Sequence, residues 1–82
     1  PEVKTEDGVE AVVKDSSYGT IVTLVNWKKQ PIEKLSVSIK MPKSPSAIRS
    51  VAQQKTVPWK YANGMVTFEA TLKDADFILL EK

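Results

Sequence analysis

The 82-residue chain contains no cysteine and no histidine. Without cysteine, neither a disulfide nor a thiolate metal site can supplement the core. Without histidine, the chain lacks the commonest metal ligand and the side chain best suited to general-base work near neutral pH. A catalytic site would have to use carboxylates, lysine or tyrosine alone. We therefore expect a protein that is not an enzyme and has no catalytic, metal or cofactor site.

Long apolar runs are also missing from the chain. The longest apolar stretches, residues 21–25 and 77–80, have the length of β-strands, whereas a membrane-spanning helix needs about 18 or more apolar residues. The chain starts at Pro1, with no initiator methionine and no apolar signal-peptide core. We expect no membrane span, and a piece of a longer or processed protein.

The net charge of +2 is small, but the charges are unevenly distributed. Residues 28–60 carry eight basic side chains and one acid, Glu33, and the rest of the chain carries four basic and nine acidic side chains. Solvated strand faces explain this pattern, and a basic patch is the alternative. Nucleic-acid binding would need exposed aromatic rings among the lysines. It is our third functional hypothesis, on a small basic barrel, and not a partner that we expect.

Asn63-Gly64 is the strongest local structural signal, because both residues tolerate the positive φ of a two-residue hairpin turn. The turn predicts a register for the two flanking strands. Large apolar side chains then share one face and polar ones the other, so the hairpin is half-buried. The predicted opposite pairs are Ala62 and Met65, Tyr61 and Val66, Lys60 and Thr67, Trp59 and Phe68, Pro58 and Glu69, and Val57 and Ala70.

Strand-like segments fill the rest of the chain, and no segment has the 3.6-residue apolar period of a helix. The predicted strands are residues 9–13, 19–26, 35–41, 47–53, 56–62, 65–72 and 77–80. Within segment 19–26, residues 21–25 are apolar except for Thr23, so we expect a central strand whose two faces are largely covered. About seven short strands with turns between them predict an all-β fold, an antiparallel β-sandwich of immunoglobulin or fibronectin III type. A small closed barrel is the alternative. Residues 1–8 are predicted to be a flexible acidic lead-in, and 9–82 a single domain.

Four segments occur in an order that resembles a known family: Leu24-Val25-Asn26-Trp27, the alternating residues 35–41, Ile48-Arg49-Ser50-Val51 and the Asp-containing apolar end, residues 72–80. The pattern is similar to the small C-terminal β-sandwich domains that follow the catalytic barrel in bacterial glycoside hydrolases, including beta-galactosidases with a C-terminal β-domain. The resemblance implies a non-catalytic accessory domain that packs on a neighbouring domain of the same longer chain. It also implies an extracytoplasmic location, periplasmic or secreted.

Five residues are candidates for ligand or interdomain contact: Tyr18, Asn26, Trp27, Lys28 and Lys29. Trp27 follows an apolar strand, so it would cap the core, contact a neighbouring domain or bind a ligand. Asn26 is predicted to bond the backbone of the following turn.

Tyr18 is the aromatic residue that we expect to be most exposed. With Trp27 it would suit a carbohydrate-binding module, the second functional hypothesis, because sugar rings stack on aromatic faces. Asp74 and Asp76 are the nearest approach to a catalytic carboxylate pair, and we expect them to be turn residues instead. Homo-oligomerisation through an edge strand stays open.

Overall fold

The computed structural model describes residues 3–82, which form nine β-strands and no helix. The strands have two to nine residues, as expected from turn-forming residues spaced about ten apart. The strands are β1 (Val3–Lys4), β2 (Val9–Asp15), β3 (Gly19–Asn26), β4 (Ile32–Lys40), β5 (Ala47–Ser50), β6 (Lys55–Thr56), β7 (Trp59–Ala62), β8 (Met65–Leu72) and β9 (Ala75–Glu81).

The strands form two antiparallel sheets that share one hydrophobic core. The four-stranded sheet has the order β1-β4-β8-β7, and the five-stranded sheet has the order β2-β3-β9-β5-β6. The core side chains come from both sheets and, for Val57, from the segment between β6 and β7: Val22, Leu24, Leu35, Val37, Ile39, Ile48, Val57, Val66, Phe68, Leu72, Ile78 and Leu80. Burying one such side chain stabilises the fold by about 1.5–3 kcal/mol. The all-β, sandwich-like architecture predicted from the sequence is confirmed.

The Asn63-Gly64 hairpin has the predicted register over its inner four pairs. Ala62 lies opposite Met65, Tyr61 opposite Val66, Lys60 opposite Thr67 and Trp59 opposite Phe68. The turn residues have φ values of 53° and 76°, which the two-residue turn requires. Trp59 and Tyr61 pack against the core, and the Tyr61 hydroxyl donates to the Met41 carbonyl oxygen at 2.9 Å.

Beyond Trp59, the predicted register is wrong. Pro58 has no backbone N–H and cannot donate to β8, and the chain crosses between the two sheets at this point. Val57 therefore does not pair with Ala70, nor Pro58 with Glu69. Instead the Val57 N–H donates to the Ile48 carbonyl oxygen at 2.8 Å, and Lys55–Thr56 forms β6 beside β5. One predicted strand thus becomes two, one in each sheet.

The start of the described chain adds a further short strand. Val3 and Lys4, within the predicted flexible lead-in, form β1 and pair with Ile39 and Ser38 of β4. Residues 1 and 2 of that lead-in lie outside the described residues. The additional strand and the division at Pro58 account for nine strands where the sequence predicts about seven.

Candidate functional site

Asn26 at the end of β3 holds two turns together through its side chain. Its Nδ2 lies 3.0 Å from the Gln30 carbonyl oxygen, 3.3 Å from that of Leu72 and 2.9 Å from that of Lys73. Its Oδ1 accepts from the Lys28 backbone N–H at 2.9 Å. The predicted bond to the following turn is confirmed. Sequence reasoning missed the second turn, because residues 72 and 73 are far from Asn26 along the chain.

Trp27 continues the direction of β3 and projects its ring into solvent. Its backbone N–H donates to the Gly8 carbonyl oxygen at 2.8 Å, and the residue is 69% exposed. The indole Nε1 donates to Glu10 Oε1 at 3.1 Å, which orients the ring. Trp27 therefore does not cap the core, and contact with a neighbouring domain or a ligand are the two remaining alternatives. Lys28 and Lys29 lie beside it in the same exposed turn.

Tyr18 lies at the opposite end of β3, in the turn that joins β2 to β3. Ser16 and Gly19 exchange backbone hydrogen bonds of 2.7 and 3.3 Å, which leaves Ser17 and Tyr18 as a two-residue loop. Tyr18 is 84% exposed, as predicted. The eight residues of β3 separate it from Asn26 by roughly 25 Å. The structure thus brings residues 26–29 together and leaves Tyr18 apart, so one small ligand cannot contact both Tyr18 and Trp27.

The outer face of the five-stranded sheet, which points away from the core, is largely apolar. The pairing aligns Val12, Thr23 and Phe77 in one row and Lys14, Ile21 and Leu79 in the next. Val51 extends the first row, because its N–H donates to the Phe77 carbonyl oxygen at 3.0 Å. Val12, Val51 and Phe77 are 54–55% exposed. With Val25 and Trp27, these side chains form a continuous apolar surface, here called the outer face.

The prediction that β3 is central in its sheet is confirmed, whereas the expected cover over its outer face is only partial. β3 is an interior strand, flanked by β2 and β9, and its inward side chains Val22 and Leu24 are fully buried. Its outward side chains Ile21 and Val25 are only partly buried, because no element of residues 3–82 lies over them. Sequence reasoning missed the outer face because it assigned every apolar residue of this strand to a covered position.

The opposite surface of the molecule shows the usual pattern. Most outward side chains of the four-stranded sheet are polar, namely Ser36, Ser38, Lys60, Thr67, Glu69 and Thr71, with Ala62 and Met65 as the apolar exceptions near the turn. Ser38 and Thr67 face each other with their hydroxyl oxygens 3.2 Å apart. An antiparallel sheet with one solvated face is expected to alternate in this way. The two outer faces therefore differ in character, and only that of the five-stranded sheet is apolar.

The basic residues of segment 28–60 do not form one patch. Lys28 lies beyond the end of β3 and is paired with Glu6. Lys40 is at the far end of β4, and Lys60 points outward from the four-stranded sheet. Arg49 belongs to the outer face of the other sheet, where its Nε lies 3.8 Å from Glu81 Oε2. The segment is thus distributed over both sheets and both ends of the molecule.

The two aspartates near the end of the chain have separate structural roles. Asp76 points inward, is 4% exposed, and accepts hydrogen bonds from the Ser50 hydroxyl and, at 2.8 Å, from the Ala52 N–H. Asp74 is exposed in the β8–β9 turn, where its carbonyl oxygen accepts from the Asn26 N–H at 2.7 Å. Within residues 3–82, no three acidic side chains cluster as a metal site would require.

No helix within the described part of the chain is long and apolar enough to cross a membrane.

The resemblance to glycoside hydrolase C-terminal domains remains a prediction. Comparison with protein-family models, curated proteins and solved structures finds no match to this chain. The structural features that bear on function are therefore the outer face and the Asn26–Lys29 turn.

Proposed function

We propose that this chain is a non-catalytic accessory domain whose outer face packs against a neighbouring domain of a longer protein. The observation that carries the proposal is the exposure of Val12, Trp27, Val51 and Phe77 on one sheet face, each more than half exposed. Covering such a side chain recovers roughly 1 kcal/mol, about half of the value for complete burial.

Charged side chains border this apolar surface. Lys14 and Glu10 lie on β2, and Arg49 and Glu81 lie at the other edge of the face. An apolar centre with a polar rim is the usual anatomy of a protein interface. The partner surface that fits is therefore apolar at its centre, with acidic and basic groups at its margin.

The size of the outer face favours a tethered partner. Four strands of about six residues cover roughly 400 Å² at the usual strand spacing, so the two surfaces together would bury about 800 Å². Interfaces between domains of one chain bury about 600–1,500 Å², whereas stable complexes between separate proteins bury about 1,600 Å². A covalent connection raises the effective concentration and makes a small interface sufficient.

The resemblance to glycoside hydrolase C-terminal domains supplies a candidate for that neighbour. On this proposal the outer face packs on the catalytic barrel of an extracytoplasmic, carbohydrate-active bacterial protein. We propose a likeness to immunoglobulin or fibronectin III domains only in the arrangement of two packed sheets, and not in the strand order. In immunoglobulin constant domains the last strand joins the sheet of the third and sixth strands, whereas β9 lies between β3 and β5.

Carbohydrate binding is a second candidate function, supported by the exposed and oriented ring of Trp27. Its indole is held by Glu10, and Asn26 orders the adjacent turn. Titration with a panel of glycans would quench the Trp27 fluorescence saturably if this function is correct, and Trp27→Ala would abolish the change. Nucleic-acid binding, the third hypothesis, has no comparable support because the basic residues are dispersed.

Hydroxyl-radical footprinting tests the accessory-domain proposal. The oxidation rates of Trp27 and Phe77 are compared between the isolated 82-residue chain and a longer polypeptide that includes its flanking domain. We expect both residues to be protected several-fold in the longer polypeptide. Tyr18 is the internal control, because it is 84% exposed and lies off the outer face. Unchanged oxidation of Trp27 and Phe77 would refute the proposal.

A further inference from the structure

Strand β2 is a long edge strand whose outer side has open backbone groups. It spans seven residues and pairs only with β3, without a register shift. Most natural edge strands are short, or carry a proline, a bulge or charged side chains that prevent further pairing. Other edges of the two sheets are protected in this way: β1 and β6 have two residues each and β7 has four. β2 has no proline and no bulge, and the two charges on its outward face, Glu10 and Lys14, are opposite in sign.

The hydrogen-bond pattern of the β2–β3 hairpin identifies which groups are open. Ser16 and Gly19 bond each other, and the Trp27 N–H bonds the Gly8 carbonyl oxygen. Bonded pairs alternate along an antiparallel ladder, so residues 10, 12 and 14 bond β3. The N–H and C=O groups of Ala11 and Val13 therefore point away from β3, towards the open edge.

We propose that two copies of this chain associate through their β2 strands, which pair antiparallel about a two-fold axis at Val12. In this register Ala11 of each copy exchanges two backbone hydrogen bonds with Val13 of the other. The Val12 side chains of the two copies meet at the axis, where strands approach most closely and β-branched pairs are favourable. The five-stranded sheets join into one sheet of ten strands.

The charges of β2 are self-complementary in this register alone. The two-fold axis places Glu10 of each copy opposite Lys14 of the other. Within one copy these side chains point to the same face but are four residues apart, about 13 Å along the strand, and cannot pair. Among the described residues, the ion pairs are Lys28–Glu6 and Arg49–Glu81, so Glu10 and Lys14 have no ionic partner. Glu10 Oε1 accepts from the Trp27 indole N–H, and the second carboxylate oxygen is the one that would face Lys14 of the other copy. Pairing shifted by one or more residues loses this match.

The dimer uses the backbone edge of β2 and covers only Val12 of the outer face, so Trp27, Val51 and Phe77 remain accessible and the accessory-domain proposal can be tested separately. Main-chain hydrogen bonds supply the affinity in strand addition, and the contact is small, so the association is weak. We expect the dimer fraction to rise between about 10 μM and 1 mM protein.

Sedimentation velocity at low salt tests the register through charge reversal. Glu10→Lys puts a second lysine opposite Lys14 of the partner, and Lys14→Glu places two glutamates opposite each other, so each variant should dimerise about tenfold more weakly. An equimolar mixture of the two variants restores both attractive pairs and should form a heterodimer. The double charge swap should also restore wild-type association. Glu69→Lys is the matched control, because Glu69 is exposed on the other sheet.

Phe77→Ser distinguishes edge pairing from stacking of two outer faces. Phe77 is on the outer face but not at the β2 edge, so its replacement should leave the dimer unchanged. A wild-type chain that is monomeric at 1 mM would overturn the inference. Loss of the dimer in Phe77→Ser, or no recovery in the mixture of Glu10→Lys and Lys14→Glu, would also overturn it.

Discussion

Replacing Asn26 with alanine should destabilise the protein by about 2 kcal/mol. The side chain has two amide hydrogens for the three carbonyl oxygens of Gln30, Leu72 and Lys73, and one oxygen for the Lys28 N–H. That is three hydrogen bonds at about 1 kcal/mol each. Water can replace the exposed partners, which reduces the sum to about 2 kcal/mol.

Urea denaturation, followed by tryptophan fluorescence and circular dichroism, measures this loss. A domain of this size has a total stability of roughly 4–12 kcal/mol and an m-value of about 1 kcal/mol/M in urea. The denaturation midpoint of Asn26→Ala should therefore fall by about 2 M. Gln30→Ala is the matched control, because Gln30 contributes only its backbone carbonyl to Asn26.

Asn26→Asp tests whether the two amide donors carry the effect. The aspartate keeps an acceptor for Lys28 but turns a negative oxygen towards carbonyl oxygens. It should be at least as destabilising as alanine at pH 7. A midpoint within about 0.5 M of wild type, for either Asn26→Ala or Asn26→Asp, would refute the reasoning.

Two further substitutions test the core of the five-stranded sheet. Asp76→Ala should lower the free energy of unfolding, measured by urea denaturation, by about 2–3 kcal/mol, because it leaves the Ser50 hydroxyl and the Ala52 N–H without their acceptor. An unchanged denaturation midpoint would contradict this. Gly19→Ala places a Cβ 2.3 Å from the Leu80 carbonyl oxygen at a φ of 155°, and should lower Tm by about 10 °C or more. A Tm within about 3 °C of wild type would show that the two strands separate at little cost.

Local sequence signals were sufficient to predict strand pairs, buried faces and hydrogen bonds where the residues involved are close together in the chain. The Asn63-Gly64 turn predicted four pairs of the β7–β8 hairpin because a two-residue loop leaves only one register. The alternation of residues 35–41 predicted one buried face for β4, whose Leu35, Val37 and Ile39 are fully buried. The side-chain bonds of Asn26 within its own turn were also predictable, since they span four residues or fewer.

Local sequence signals were not sufficient to predict contacts between residues that are far apart in the chain. Pro58 was visible in the sequence, but only the pairing of Val57 with Ile48 shows that the chain changes sheet there. Tyr18 and Trp27 are nine residues apart and were candidates for one site. The extended strand between them puts them at opposite ends of the molecule.

Side-chain alternation and turn chemistry are local properties, so they were enough to define an all-β chain, the position of most of its strands and the faces that form the core. What covers each apolar residue depends instead on how the sheets assemble. Residues 21–25 and 77–80 are apolar on both faces, and periodicity cannot say whether another layer lies over the second face. The order β2-β3-β9-β5-β6 leaves that face uncovered and β2 at the edge, because the remaining long strands, β4 and β8, lie in the other sheet.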